Sequence, residues 1–149
     1  MGVAVKNNEG HSLVVGLTES KNKFCSTYAG GKLCSTDTTL LNGWENTQAI
    51  KHQDGAAKEA ADYTFADGQN GYIGSYAEWE IINAHREFVD NAMVKLEKNT
   101  LAQTYWTSTY SGSDRMRTVL STGAYSNAIC VQSVAYGRPF AKLPEGLEW

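Results

Sequence analysis

Aromatic, β-branched and hydroxyl side chains alternate over Tyr105-Trp106-Thr107-Ser108-Thr109-Tyr110, which suits a pleated strand with one face in a core and the other in water. By parity, Tyr105, Thr107 and Thr109 share one face, and Trp106, Ser108 and Tyr110 share the other. One of the two faces is expected to be core. Ser111-Gly112-Ser113-Asp114 then has the composition of a tight turn, because Gly tolerates φ > 0 and Ser and Asp bond their own backbone. Met116 to Leu120 is the expected return strand, Ser121-Thr122-Gly123 a second turn, and Ala128 to Val134 a further apolar strand. The last strand is expected from Tyr136 to Leu143, at a sheet edge or bulged at Pro139, since proline cannot donate to a ladder.

The start of the chain reads as strands as well. Val3-Ala4-Val5 and Ser12-Leu13-Val14-Val15-Gly16-Leu17 flank the loop Lys6-Asn7-Asn8-Glu9-Gly10, which predicts a hairpin. Between Asn46 and Ala61 helix formers take over, and Asp54-Gly55 divides them into a short helix from Asn46 and a second from Gly55 to Tyr63. The clearest helix follows Ser75, an N-cap with Glu78 three positions on, the spacing of a capping box. Trp79, Ile82, Val89, Ala92, Met93 and Leu96 form its apolar stripe, and it is expected from Tyr76 to Lys98. Strands, helices and more strands in that order make an α+β arrangement with helices outside antiparallel sheets.

At 149 residues, the chain fits one domain spanning 1–149 with a single core. Its net charge of −3 and scattered 13 Lys and Arg residues lack the basic footprint of a nucleic-acid-binding protein. No apolar run is long enough for a bilayer span, so direct membrane insertion is not expected. The opening residues lack a signal-peptide pattern, so any export signal is expected outside this sequence. Three cysteines cannot all pair internally. Cys25 and Cys34 flank Tyr28-Ala29-Gly30-Gly31, read as a hairpin turn, and could form a disulfide in an oxidising compartment. Cys130, between Ile129 and Val131, reads as a small buried hydrophobe. His85 has no Cys, His or carboxylate at ligand spacing, and neither a metal site nor a cofactor is expected.

An ordered set of strings resembles the C-type-lectin-like domain of collagen-like bacterial adhesins, fimbrial-tip proteins and phage receptor-binding proteins. The strings are Gly2-Val3-Ala4-Val5, His11-Ser12-Leu13-Val14-Val15, Gly43-Trp44-Glu45-Asn46-Thr47-Gln48-Ala49-Ile50, Ala56-Ala57-Lys58-Glu59-Ala60, Tyr72-Ile73-Gly74-Ser75-Tyr76-Ala77-Glu78-Trp79, Tyr105-Trp106-Thr107-Ser108-Thr109 and Arg138-Pro139-Phe140. Gly74 stands where that family usually has proline. The resemblance implies a C-type-lectin-like fold with paired N- and C-terminal strands, two main helices flanking the sheets, and a binding surface on loops of the C-terminal half. The sequence is also similar to the variable proteins of diversity-generating retroelements, whose varied positions near the C-terminus favour Asn, Tyr, Ser, Asp, Thr and Arg.

These readings converge on a ligand-binding or adhesion module without enzyme activity, facing a cell-surface protein or glycan receptor from the cell surface, extracellular space or virion. The candidate contact residues are Trp106, Tyr110, Ser113, Asp114, Arg115, Tyr125, Ser126 and Asn127, a palette in which tyrosine gives rigid area and Ser and Asn give adaptable hydrogen bonds. The Glu-Pro-Asn or Gln-Pro-Asp loop of calcium-dependent lectins is absent. Two alternatives stay open. One is an assembly domain forming a homo-oligomer, with Trp149 and the Leu143-Pro144-Glu145-Gly146-Leu147 tail as its contact. The other is a relative of the formylglycine-generating oxidases with Cys130 as its reactive thiol.

Overall fold

The computed structural model describes residues 2–7, 9–120 and 125–142, with only the backbone described for residues 28, 29 and 125–128. The expected turn Ser121-Thr122-Gly123, Trp149 and the tail from Leu143 to Leu147 lie outside the described residues.

Strands β1 (Gly2–Lys6) and β2 (Ser12–Gly16) form the expected antiparallel hairpin, with Val3 opposite Val15 and Val5 opposite Leu13. All four of these side chains are buried, as period-two alternation requires. Strand β4 (Tyr72–Ile73) and the last strand, β9 (Pro139–Lys142), complete a four-stranded sheet of order β1-β2-β9-β4. The first and last parts of the chain therefore do pair, but through β2, while β1 is an outer strand.

The second sheet has the order β3-β8-β5-β6-β7. It consists of β3 (Ser20–Asn22), β5 (Tyr105–Gly112), β6 (Arg115–Val119), β7 (Tyr125–Cys130) and β8 (Ala135–Gly137). The single strand expected from Tyr136 is thus two strands in two sheets, and Arg138 is the residue between them. Pro139 does not mark an edge. It opens β9 opposite Ile73, with β2 and β4 on either side of that strand, and the first residue of a strand is a position where a missing N–H does no harm.

Strand β5 departs most from the one-wet-face expectation, because every residue from Tyr105 to Tyr110 is buried. Tyr105 packs in a core with Trp79, Phe140 and Val119, whereas Trp106 and Tyr110 pack in another with Phe24, Ile50 and Met116. The strand divides two cores. Its hydroxyl residues are consequently structural. Thr107 Oγ1 donates to Arg117 O at 2.8 Å, Thr109 Oγ1 accepts from Tyr76 N at 2.9 Å, and Ser108 N donates to Gly74 O at 2.9 Å.

Among the described residues four α-helices accompany the sheets where two main ones are expected: α1 (Gly43–Ile50), α2 (Ala56–Asp62), α3 (Tyr76–Ala84) and α4 (Arg86–Lys95). The capping box at Ser75 and Glu78 is present. The expected long helix breaks at His85, whose backbone leaves the helical region at φ −117° and ψ 27°; Asn83 and His85 are both weak helix formers. Val89 and Met93 stay buried beyond the break, but Leu96 is exposed. Helix α4 stops short of Lys98 because Glu97 turns left-handed at φ 56°. Glu97 N donates to Val94 O and Lys98 N to Met93 O, the paired bonds of a Schellman ending.

Two local departures have steric causes. A Cβ at Gly74 would stand 2.7 Å from Phe140 Cε2, so the aromatic ring packed against this backbone favours glycine at that position. Tyr28–Leu33 is a 3-10 helix and no hairpin turn. Cys25 and Cys34 consequently do not face each other as a strand pair. Both are buried free thiols, Cys25 Sγ donating to Thr27 O and Cys34 Sγ to Asn46 O, and no disulfide joins them.

Arg138 joins the two sheets. Its guanidinium is fully buried and donates to Gly16 O at 2.9 Å, Asn99 O at 2.6 Å, Thr100 O at 3.2 Å and Glu19 Oε1 at 3.1 Å. The same group lies 5.9 Å from the centre of the Tyr105 ring. A planar fork of five donors suits several fixed carbonyls better than any other side chain.

Candidate recognition face

The sequence-derived contact residues separate into three groups. Trp106 and Tyr110 belong to the core. The Trp106 ring is 5.6 Å from that of Phe24, and its Nε1 donates to Asn22 O at 2.9 Å. Tyr110 is 6% exposed. It roots the hairpin that follows, its hydroxyl accepting from Asp114 N at 2.9 Å while its own N donates to Ser35 O at 2.9 Å. Truncating either aromatic would remove core packing, so neither is a surface contact.

Ser113, Asp114 and Arg115 form the second group, at the tip of the β5–β6 hairpin. Gly112 pairs with Arg115, which leaves a two-residue loop. Both loop residues are left-handed, Ser113 at φ 53° and Asp114 at φ 58°, as a type I′ turn demands. Such φ values cost a non-glycine residue roughly 1–2 kcal/mol each. The surroundings hold them: Asp114 N is tied to Tyr110 Oη, and Asp114 O accepts from Val131 N at 2.9 Å. Ser111, Ser113 and Arg115 are exposed.

Tyr125, Ser126 and Asn127 are the third group, on the outer strand β7. Their backbone runs beside β6, with Tyr125 opposite Val119 and Ser126 opposite Thr118, while Cys130 lies opposite Arg115. Their side chains lie outside the described residues. Four positions along β6 separate Val119 from Arg115, so Tyr125 stands roughly 13 Å from the hairpin tip at the usual strand rise. The eight residues are therefore one tip, one neighbouring strand and two core aromatics.

Arg117 and Tyr76 escaped the sequence reading. The Arg117 guanidinium lies 5.6 Å from the centre of the Tyr76 ring, and Arg117 is only partly buried. Parity carried half of this signal, since Arg115 and Arg117 are two positions apart on β6 and fall on one face. Tyr76, the first residue of α3, could not be found that way. Arg115, Arg117 and the half-buried Asp114 give the face mixed charge.

Two of the three thiols and one phenol–carboxylate pair are buried and structurally engaged. Burial pushes the Cys34 thiol up to about 12 and also raises that of Cys25, which holds both protonated and unreactive at neutral pH. Burial likewise raises Tyr72 well above the ordinary tyrosine range, with Glu78 beside it adding to the shift. Tyr72 Oη donates to Glu78 Oε2 at 2.6 Å, and the same carboxylate accepts from Gly43 N and Ser75 N, so this buried group is a structural node. Among the described residues there is no cluster of three or more His, Cys, Asp or Glu that could hold a metal. The His85 ring nitrogen Nδ1 lies 3.0 Å from Ile81 O. No helix among the described residues is long and apolar enough to cross a membrane.

Two of several cavities elsewhere have mixed polar and aromatic linings. One of about 210 Å³ is lined by Thr18, Glu19, Ser20, Glu59 and Tyr63 among others; Glu59 is engaged there, accepting from Ser20 Oγ and Asn22 Nδ2. The other, of about 240 Å³, is lined by Trp44, Gln69, Asn70, Tyr72 and Lys142.

No family model matches this chain, and no curated protein matches it. Among solved structures, a crystal structure of a fimbrial protein from Bacteroides ovatus superposes over 90% of the chain with a TM-score of 0.63 at 14% identity. The fold is similar to part of a fimbrial protein. At that identity the likeness concerns the fold alone, an α+β arrangement of helices against sheets. The chain spans only 36% of the fimbrial protein's length.

Proposed function

We propose that this chain is a non-enzymatic recognition module of the C-type-lectin-like kind, displayed at a cell or virion surface, which binds its receptor through the β5–β6 hairpin tip and strand β7. The observation that carries this reading is the tip itself. Ser113 and Asp114 are both left-handed, and the Tyr110 hydroxyl and Val131 N hold them there. Strained backbone held by its surroundings is a feature that clusters at binding sites. A loop ordered in advance also loses little entropy on binding. Exposed Ser111, Ser113 and Arg115 line this tip, with Arg117 stacked behind them on Tyr76. The likeness to part of a fimbrial protein supports a surface setting. The Tyr, Ser and Asn on β7 fit positions varied by a diversity-generating retroelement.

The test is binding of labelled protein to intact bacterial cells and to a surface-protein extract, beside two variants. Arg115→Ala and a double Ser113→Asn, Asp114→Gly change should each weaken saturable binding. The second keeps the turn type with residues that favour it, so its melting temperature should hold or rise. Unchanged binding with both variants would refute the face.

An assembly role has its own observation. Phe88, Val94 and Leu96 on and just after α4 are 58%, 63% and 43% exposed, which favours a contact with another subunit. Solution mass by light scattering decides it, and a monomer at all concentrations would exclude that reading.

A further inference from the structure

We infer a second binding site, for a single neutral pyranose ring, in the pocket formed by Trp44, Gln69, Asn70, Tyr72 and Lys142. It is independent of the hairpin-tip reading, for it sits at the β4–β9 end of the four-stranded sheet.

Trp44 is the starting point. Trp79 and Trp106 are fully buried, whereas Trp44 is 37% exposed at the start of α1. Its ring meets the buried Tyr72 ring edge-on, with centroids 6.3 Å apart at 90°. The two aromatics make a perpendicular corner in which Tyr72, 1% exposed, backs the site and Trp44 supplies the open ring surface. An aromatic face attracts positively polarised edges, and the axial C–H groups of a pyranose present such an edge.

The polar groups around this corner are fixed before any ligand arrives. Gln69 Nε2 donates to Asp67 Oδ2 at 2.7 Å and to Lys142 O at 2.7 Å, which leaves Gln69 Oε1 as an acceptor. Asn70 is exposed beside it, and its backbone is set by the bridge to Thr64. Phe65 N donates to Gln69 O at 2.8 Å, closing the loop that carries both amides. Amides supply donors and acceptors together, as ring hydroxyls require. The tyrosine hydroxyl is already committed to Glu78 and the ring is buried, so Tyr72 serves to hold Trp44 in place.

Size and charge narrow the ligand. A volume of about 240 Å³ falls below the roughly 300–1,000 Å³ of pockets for drug-sized ligands and suits one ring. Lys142 brings one positive charge to the lining, while Asp67, bonded to Gln69, and Glu45, next to Trp44 on α1, are the nearby carboxylates; charges of both signs at the rim disfavour an anionic sugar and leave a neutral ring as the ligand. Calcium has no part in this site, since no carboxylate cluster is present among the described residues.

The experiment titrates the full chain, in the presence of a chelator, with the methyl glycosides of mannose, glucose, galactose and N-acetylglucosamine, followed by two-dimensional NMR. Saturable shifts of the Trp44 indole and the Gln69 and Asn70 amides with at least one glycoside are expected. The dissociation constant should rise at least tenfold in Trp44→Ala. Asn70→Ala, at an exposed position, gives the same readout should Trp44→Ala fail to fold. Arg115→Ala should leave the sugar titration unchanged, so failure at the hairpin and failure here are told apart. No shift at these three residues with any glycoside, or shifts unaltered in both pocket variants, would overturn the proposal.

Discussion

Replacing Arg138 with alanine tests how the two sheets are held together. The side chain lies where the chain passes from β8 in one sheet to β9 in the other. It is fully buried, and its partner Glu19 is only 9% exposed. Alanine would leave that carboxylate without its cation and take the guanidinium donor from the carbonyls of Gly16 and Asn99, while Thr100 O would keep its bond from Ala102 N at 2.8 Å. Breaking a buried ion pair from one side costs about 3–5 kcal/mol. With an unfolding entropy of roughly 2.1 cal/mol/K per residue, a chain of 149 residues loses about 10–16 °C of Tm for that change. Urea unfolding followed by tryptophan fluorescence and circular dichroism measures it directly. The decisive arm is Glu19→Gln. In the wild type it should destabilise by about 1 kcal/mol or more, because a charged acceptor is exchanged for a neutral one. With Arg138→Ala already present it should stabilise, because it removes an uncompensated buried charge. A loss below about 1 kcal/mol for Arg138→Ala, or the same sign for Glu19→Gln in both backgrounds, would refute the reasoning.

Stability should fall in alkali. Cys34 is raised from 9.0 to about 12 and Tyr105 from 10.0 to about 12, both chiefly by burial. The native state therefore keeps protons that the unfolded state releases, and the contribution, complete below about pH 9, is lost toward pH 12. Cys34 alone gives a slope near 1.4 kcal/mol per pH unit in that window, and chemical denaturation at pH 8 and pH 10 should show a shallower loss for Cys34→Ala. Maleimide labelling of the native protein should modify the half-buried Cys130 before the buried Cys25 and Cys34; mass spectrometry showing equal rates would contradict their burial. Tyr110→Ala should cost about 3 kcal/mol, measured by thermal unfolding, and a neutral result would return Tyr110 to the surface.

The chain's own order of residues determined what depends on neighbours in sequence. Ser75 and Glu78 are three apart, so their capping box was legible from spacing alone, and it forms. Ser111 to Asp114 announced a turn through the φ values that Gly, Ser and Asp tolerate, and the two-residue loop lies inside that string. Alternation in Val3, Val5, Leu13 and Val15 fixed the inward face of the first hairpin. The tip residues Ser113, Asp114 and Arg115 were legible for the same reason.

Tertiary structure decided whatever depends on what covers a face. Period two sorted Tyr105 from Trp106 correctly, but it could not say that one core would close over each side of β5. That coverage is what buries Trp106 and Tyr110. Arg138 reads as an ordinary charged residue until Glu19 and the carbonyls of Gly16, Asn99 and Thr100 converge on it from distant parts of the chain. Cys25 and Cys34 looked pairable across a turn that folds instead as a 3-10 helix. Local rules set backbone shape and side-chain direction over a few residues, whereas burial and partnership are set by segments that meet only after the chain has closed.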